Sequence, residues 1–444
     1  LRRLFEHDVL DRDDTFDLGY LLTNEREYGE AAAVYEKFTR EHSGDAAYYN
    51  LALCYRGLGR HLDALDAMAA ASRNGFVSEK LDTARTGVLA RLRPLRQKLL
   101  ARPQSALPKE DWFRHYVNPF SLLDVEPEAV ADNPKALQKA RQALLREIEL
   151  EEGRVDWLPG LVIDKSSAMS RLVELDNPQA WRAHEQVWND DALNDFLMRG
   201  ELRHFLVSED DEGHEMLVHE IDESLLDVIG PKFAAQFDTV LSRACELREL
   251  DVVAALLGGR RWVLPGQQDA CFQGTRRVLD RLMEPLQKLR AAAEVRSVSY
   301  SEVENTFNKD GLRPLVELLP VEFHETHAAV CSTLRSLSVS FYNKEADAEA
   351  AKRILALGKA CAAKSPALTH RYTEDEATLD KFIAAEKADE ARMTFDGKPL
   401  TVTKSGVTWG NRTLAPQDII GLRWGLVQTS NQPPTVRHTV AFQA

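Results

Sequence analysis

Apolar positions recur every three to four residues through most of the chain, and strict alternation takes over only near its end. Residues 192–207 and 225–247 carry the helical period, the second stretch broken or started at Pro231. Helices are also predicted from Ser78 to about Ala101, from Pro134 to about Leu150, from Ser167 to Leu175 and onward to about Trp188. Residues 215–222 alternate and predict a short strand, and residues 258–266 form a turn-rich break whose Trp262 packs inward. From Met393 on, β-branched and aromatic residues alternate. They predict strands near Leu400–Thr403, Val407–Trp409, Ile419–Val427 and Val436–Phe442, with Asp396-Gly397 and Ser405-Gly406 as turns. The expectation is a mostly α protein built of helical hairpins, with a small C-terminal antiparallel β module.

A shift of 33 residues lays one stretch onto itself: Leu18, Gly19 and Leu22 fall on Leu51, Ala52 and Tyr55, Ala31 on Ala64, and Tyr35 on Met68. Large–small–large spacing suits a helical hairpin, because the small residue lets the second helix approach and the large ones fill the space around the crossing. Asp45 and either Asp13 or Asp14 are the expected N-caps. The same offsets recur at Leu337, Ser338, Phe341, Ala350, Ile354 and Leu357. There a turn is expected at Asn343–Asp347 and a third helix from Thr373 to about Ala391.

Tyr49-Asn50-Leu51-Ala52-Leu53-Cys54-Tyr55, with Gly59 and Ala64, resembles the tetratricopeptide repeat. The earlier copy carries Arg26 where that family places its turn glycine. The resemblance implies a groove for a protein partner, lined here by Phe16, Tyr20, Tyr49, Asn50 and Leu53. Some such grooves clamp a chaperone's acidic C-terminus with paired Lys and Asn. Phe16 and Tyr20 offer neither cation nor amide, so that ligand is not expected.

After a linker at Pro103–Pro108, residues 118–129 read NPFSLLDVEPEA, and a basic amphipathic helix and residues 167–188 follow. This order resembles a J-domain, the co-chaperone module. Lys135, Lys139, Arg141 and Arg146 then supply its basic second-helix face. The family's His-Pro-Asp loop, which stimulates the ATPase of an Hsp70-type chaperone, is absent from the sequence, and Glu149 to Gly160 occupy its place. No such stimulation is expected. The C-terminal stretch resembles bacterial pleckstrin-homology-like domains, of which it spans roughly half. Those modules bind lipid headgroups or peptides, so Arg412, Arg423 and Arg437 are the candidate anion contacts. The expected divisions are 1–102, 109–192, 193–320, 321–392 and 393–444.

Charge narrows the partners. The formal net charge of −14 argues against a nucleic-acid binder. Five basic and two acidic side chains make residues 395–444 about +3, leaving 51 basic against 68 acidic elsewhere, or −17. Five dispersed cysteines without a CxxC pair read as buried, reduced thiols. With no visible signal peptide and no run of ~20 apolar residues, a cytoplasmic protein is expected.

Motifs for chemistry are missing: no GxxxxGK[ST], GxGxxG or GxSxG occurs. His214-Glu215 and His219 have the wrong spacing for a zinc protease, and His324-Glu325-Thr326-His327 lacks a third ligand. The expectation is therefore a non-enzymatic adaptor or scaffold for other proteins, with no catalytic residue, metal or cofactor, and an anionic membrane surface as a further partner of its C-terminal module. One alternative is a divergent co-chaperone that recruits an Hsp70-type chaperone without stimulating it. Another is an enzyme with an unrecognised site, centred on His324 and His327.

Overall fold

A computed structural model of the protein describes residues 10–42, 44–100, 106–205, 208–209, 215–216, 223–258, 262–263, 271–364, 366–388, 391–395, 398–403, 406–418, 421–431 and 434–443. They are mostly helical, with a small antiparallel β module at the C-terminal end.

Helices α1 (Arg12–Asn24) and α2 (Tyr28–Glu41) form a first hairpin, and α3 (Asp45–Gly57) and α4 (His61–Arg73) a second. The N-cap of α1 is Asp11, whose carboxylate accepts the Asp14 N–H at 2.8 Å, rather than Asp13 or Asp14. Asp45 is likewise the first helical residue and not a cap: Gly44 precedes it in extended conformation. Both hairpin turns pass through left-handed backbone, at Arg26 (φ 64°) and at Gly59 (φ 74°), 33 residues later. Arg26 thus adopts the geometry that glycine takes in the second copy.

Inside each hairpin, residue sizes compensate. A Cβ on Gly19 would lie 2.7 Å from the Tyr35 ring, so this crossing has room for nothing larger than glycine. At the equivalent crossing Met68 replaces the aromatic ring and Ala52 fits, both buried. Helix α5 (Glu79–Leu100) closes this layer, and Leu81, Val88 and Leu92 join its core.

A larger core follows. It takes in the short helices α6 (Pro119–Leu123) and α7 (Pro127–Ala131), then α8 (Pro134–Leu150), α9 (Lys165–Val173), α10 (Pro178–Asn189) and α11 (Asp191–Arg199). The minimal strands β1 (Ser208–Glu209) and β2 (Glu215–Met216) pair next, and α12 (Glu223–Leu247) and α13 (Leu250–Gly258) complete the unit. Asn118 caps α6 through Phe120 N–H at 3.0 Å. Pro231 neither starts nor breaks α12, which runs straight through it. A helix-interior proline costs ~3 kcal/mol. Phe233, Phe237, Val240 and Leu241, all fully buried on the same helix, offset this at ~1.5–3 kcal/mol each. Trp262 is buried, as its context implies.

The third core lies under α14 (Gln273–Val295), α15 (Tyr300–Asn308), α16 (Leu312–Leu318), α17 (His324–Glu345), α18 (Ala348–Ala356), α19 (Lys359–Ala362) and α20 (Pro366–Ala388). Asp238 of α12 caps α14, accepting Gly274 and Thr275 N–H at 2.7 and 2.8 Å. The α17–α18 turn is narrower than Asn343–Asp347: α17 continues to Glu345, Ala346 is left-handed, and Asp347 caps α18. Helix α20 begins seven residues before Thr373, with proline in its first turn, where no intrahelical N–H is needed.

Strands β3 (Ala391–Phe395), β4 (Lys398–Thr403), β5 (Gly406–Trp409) and β6 (Arg412–Leu414) form one antiparallel sheet in chain order. Strands β7 (Gly421–Asn431) and β8 (Pro434–Gln443) pair separately. Strands β3 and β6 are not among the strands expected from alternation. No helix among the described residues is long and apolar enough to cross a membrane.

Candidate functional site

The residues expected to line a groove all lie on the first helices of the hairpins. Phe16 and Tyr20 stand one turn apart on α1, and Tyr49, Asn50 and Leu53 share α3. Phe16 is half-buried, edge-on to Tyr35 and Phe38 with centroids 5.7 Å away in each case. Asn50 donates its side-chain N–H to the Tyr35 hydroxyl at 3.0 Å, and Tyr49 stacks on Phe76 at 4.7 Å. Tyr35, which the 33-residue repeat aligns with Met68, is thus a central strut between the two hairpins. Burial raises its hydroxyl pKa, so it remains a neutral hydrogen-bonding group. Leu53 is half-buried. Tyr20 is 53% exposed, and the adjacent Leu21, which the repeat pattern does not mark, is 50% exposed.

The second helices are engaged elsewhere. Helix α4 packs against α13, and α2 packs against α20. The main chain-internal docking of the hairpins therefore falls on their second-helix side, and the large exposed side chains Tyr20 and Leu21 fall on a first helix.

On α8, Lys135, Lys139 and Arg146 are exposed. At ~100° per residue the three fall within ~40° of one another. Arg141 points away from them and is half-buried. It donates to the Leu172 carbonyl at 3.0 Å and to Asp176 at 2.8 Å, tying α8 to the end of α9. The segment between α8 and α9 is packed: Val155, Leu158, Leu161 and Ile163 are buried, and Trp157 donates to the Ser121 carbonyl at 3.1 Å.

A well-connected polar cluster is centred on His184 of α10. The Tyr116 hydroxyl donates to His184 Nδ1 at 2.9 Å, and His184 Nε2–H donates to Glu174 at 2.9 Å. Lys232 pairs with the same carboxylate, and Asn118 donates to the His184 carbonyl at 3.1 Å. Burial pushes the Glu174 carboxyl upward, but hydrogen bonds from His184 and Lys232 outweigh it and hold the group at about 2. Burial also lowers His184 despite the adjacent carboxylate. The two directions agree once Lys232 is counted: it supplies the counter-charge, and the imidazole stays neutral. His184 is 0% and Tyr116 1% exposed, so neither can touch a substrate. The cluster braces the core.

His327 is fully buried, with Nε2 donating to the Val316 carbonyl at 3.2 Å, whereas His324 is exposed. The two side chains thus differ in burial and in role. Among the described residues no group of three or more His, Cys, Asp or Glu is arranged to hold a metal ion. His214 and His219 lie outside the described residues. All five cysteines are buried and unbridged, and burial raises their pKa values, to about 11 for Cys54 and Cys331.

Arg412 is exposed in β6, opposite Trp409. Arg423 and Arg437 belong to the other ladder, opposite Ala441 and Val427, and their side chains lie outside the described part. No protein-family model matches the chain, and neither a curated protein nor a solved structure matches it.

Proposed function

We propose that this protein is a non-enzymatic adaptor that holds a protein partner on the first-helix side of tetratricopeptide-type hairpins. The observation that carries this reading is the division of labour between the hairpin faces. The second helices dock onto the rest of the chain, while the first helices leave Tyr20 and Leu21 exposed on α1 and Asn50 and Leu53 partly exposed on α3. Apolar and aromatic side chains with an adjacent amide suit a peptide or helix of a partner. The test is co-purification from the native source, comparing the wild type with Tyr20→Asp and Leu53→Asp variants that keep wild-type circular dichroism. Specific partners should be lost from both variants. Unchanged partners, or turnover of nucleotide, peptide or nucleic acid abolished by a single substitution, would sink the proposal.

A second reading rests on the exposed stripe of Lys135, Lys139 and Arg146. On this reading a J-like segment docks an Hsp70-type chaperone electrostatically without stimulating its ATPase. Charge reversal of these three should abolish capture of a purified chaperone. No capture by the wild-type protein would eliminate the reading. Arg141 is a poor probe, because its reversal breaks the tie to Asp176.

A further inference from the structure

The hairpins do not meet the helical body flush. Gly29, at the start of α2, approaches Ala363 so closely that a Cβ at that position would lie 2.9 Å from the alanine methyl. Beside this contact the surfaces part and leave a cleft of about 230 Å³. One wall is α2 and the α3–α4 turn; the other is the end of α16 with α19 and the turn after it. Ala33, Leu318 and Ala360 make much of the lining apolar, and Lys364 also lines it.

Lys364 is an unusual lining residue. It is half-buried, and among the described residues its ammonium makes no hydrogen bond or ion pair. Two carboxylates line the cleft, Glu36 and Glu317, and both are engaged, as is Asp63 behind them: Glu317 accepts from Arg313 at 2.7 Å. Asp63 accepts from Arg60 at 2.6 Å, and Glu36 lies 3.5 Å from the same guanidinium and accepts from the Tyr55 hydroxyl at 2.7 Å. Burial first, and the Arg60 charge second, push the Lys364 ammonium down to about 8. A partly buried cation with no partner of its own, beside the apolar side chains of Ala33, Leu318 and Ala360 and with Glu36 and Glu317 already paired, is relieved by an anion that brings its own apolar part. The volume falls just below the ~300–1,000 Å³ of ordinary small-molecule sites, which sets the size of that part as small.

We propose that this cleft binds a small aliphatic carboxylate, its carboxylate pairing with Lys364 Nζ and its chain lying along Ala33, Leu318 and Ala360. The site is on the second-helix side and stands independently of the adaptor reading. Its ligand bridges hairpins and body, and so tightens the docking of one on the other.

Butyrate tests the site on the full-length protein, with butyramide as neutral isostere and phosphate as chainless anion, all at matched ionic strength. Butyrate should raise Tm saturably, by about 2 °C at concentrations well above Kd, and should give a saturable calorimetric isotherm. Butyramide and phosphate should do neither. Lys364→Met should weaken butyrate binding at least ~10-fold, the scale of one charge-assisted bond. Ala33→Leu, which fills the cleft and leaves the charge, should do the same and decides the matter if Lys364→Met does not fold. The proposal is overturned if butyrate leaves the wild type unchanged, if butyramide or phosphate acts as well as butyrate, or if Ala33→Leu binds butyrate normally.

Discussion

The Tyr116 hydroxyl and His184 Nδ1 lie 2.9 Å apart in the interior, and the acceptor-only Glu174 carboxylate on Nε2 makes the hydroxyl the donor of that bond. With the hydroxyl donating to Nδ1, Nε2 bears the hydrogen and reaches Glu174, which Lys232 neutralises. Residues 116, 174, 184 and 232 are thereby joined across the segment that runs from just before α6 to α12.

Tyr116→Phe keeps the ring and removes the donor, leaving a buried Nδ1 lone pair unsatisfied. The expected loss of stability is ~1–3 kcal/mol, measured as a lower urea midpoint with an unchanged slope. A loss below ~0.3 kcal/mol would show that water or a shifted side chain substitutes for the hydroxyl.

Acid should destabilise the protein in two stages. His327 is held down to about 4 by burial first, with the Lys364 charge second. Its folded pKa lies below the ordinary 6.5, so its contribution is complete above pH 6.5 and is lost as pH falls toward 4, by up to about 3 kcal/mol. His184, also lowered by burial, acts in the same direction below 6.5. Glu174, held at about 2, contributes fully above its ordinary 4.5 and loses that contribution as pH falls from 4.5 to 2. Urea midpoints between pH 7 and 4 report the first stage. His327→Gln, whose amide can still donate to Val316, should flatten that slope, and an unaltered slope would refute the assignment.

Gly19 and Tyr35 should be energetically coupled. Gly19→Ala places a Cβ against a ring that Asn50 holds in place, and should destabilise by ~1–3 kcal/mol despite the better helix propensity of alanine. Adding Tyr35→Met recreates the Ala52–Met68 pair of the second hairpin. The double variant should be more stable than the sum of the single effects implies, by more than ~0.5 kcal/mol. Simple additivity would mean that the two sites relax independently.

Arg26 and Gly59 should respond with opposite sign. Gly59→Ala puts a side chain into left-handed backbone and should lose ~1 kcal/mol. Arg26→Gly relieves the same conformation in the first hairpin and should be neutral or stabilising by up to ~1 kcal/mol. Thermal unfolding of the two variants side by side checks this, and a clear loss in Arg26→Gly would mean that its exposed side chain has an unrecognised role.

Short-range patterns determined the elements. Helical period and alternation depend on residues within a turn or two of one another, so the mostly helical class, the C-terminal β module and the 33-residue repeat were legible in the chain itself. The paired left-handed turns at Arg26 and Gly59 follow from that repeat. Tertiary structure decided what each face meets. Pro231 lies within a continuous helix because Phe233 and Phe237 are buried by other segments. Arg141 leaves the basic stripe because Asp176, 35 residues on, accepts its proton donors. The hairpins spend their second-helix side on α13 and α20, and Lys364 acquires its desolvated place only where α2 crosses the turn after α19. No periodicity records such pairings, because the energy of burying a face depends on partners tens to hundreds of residues away.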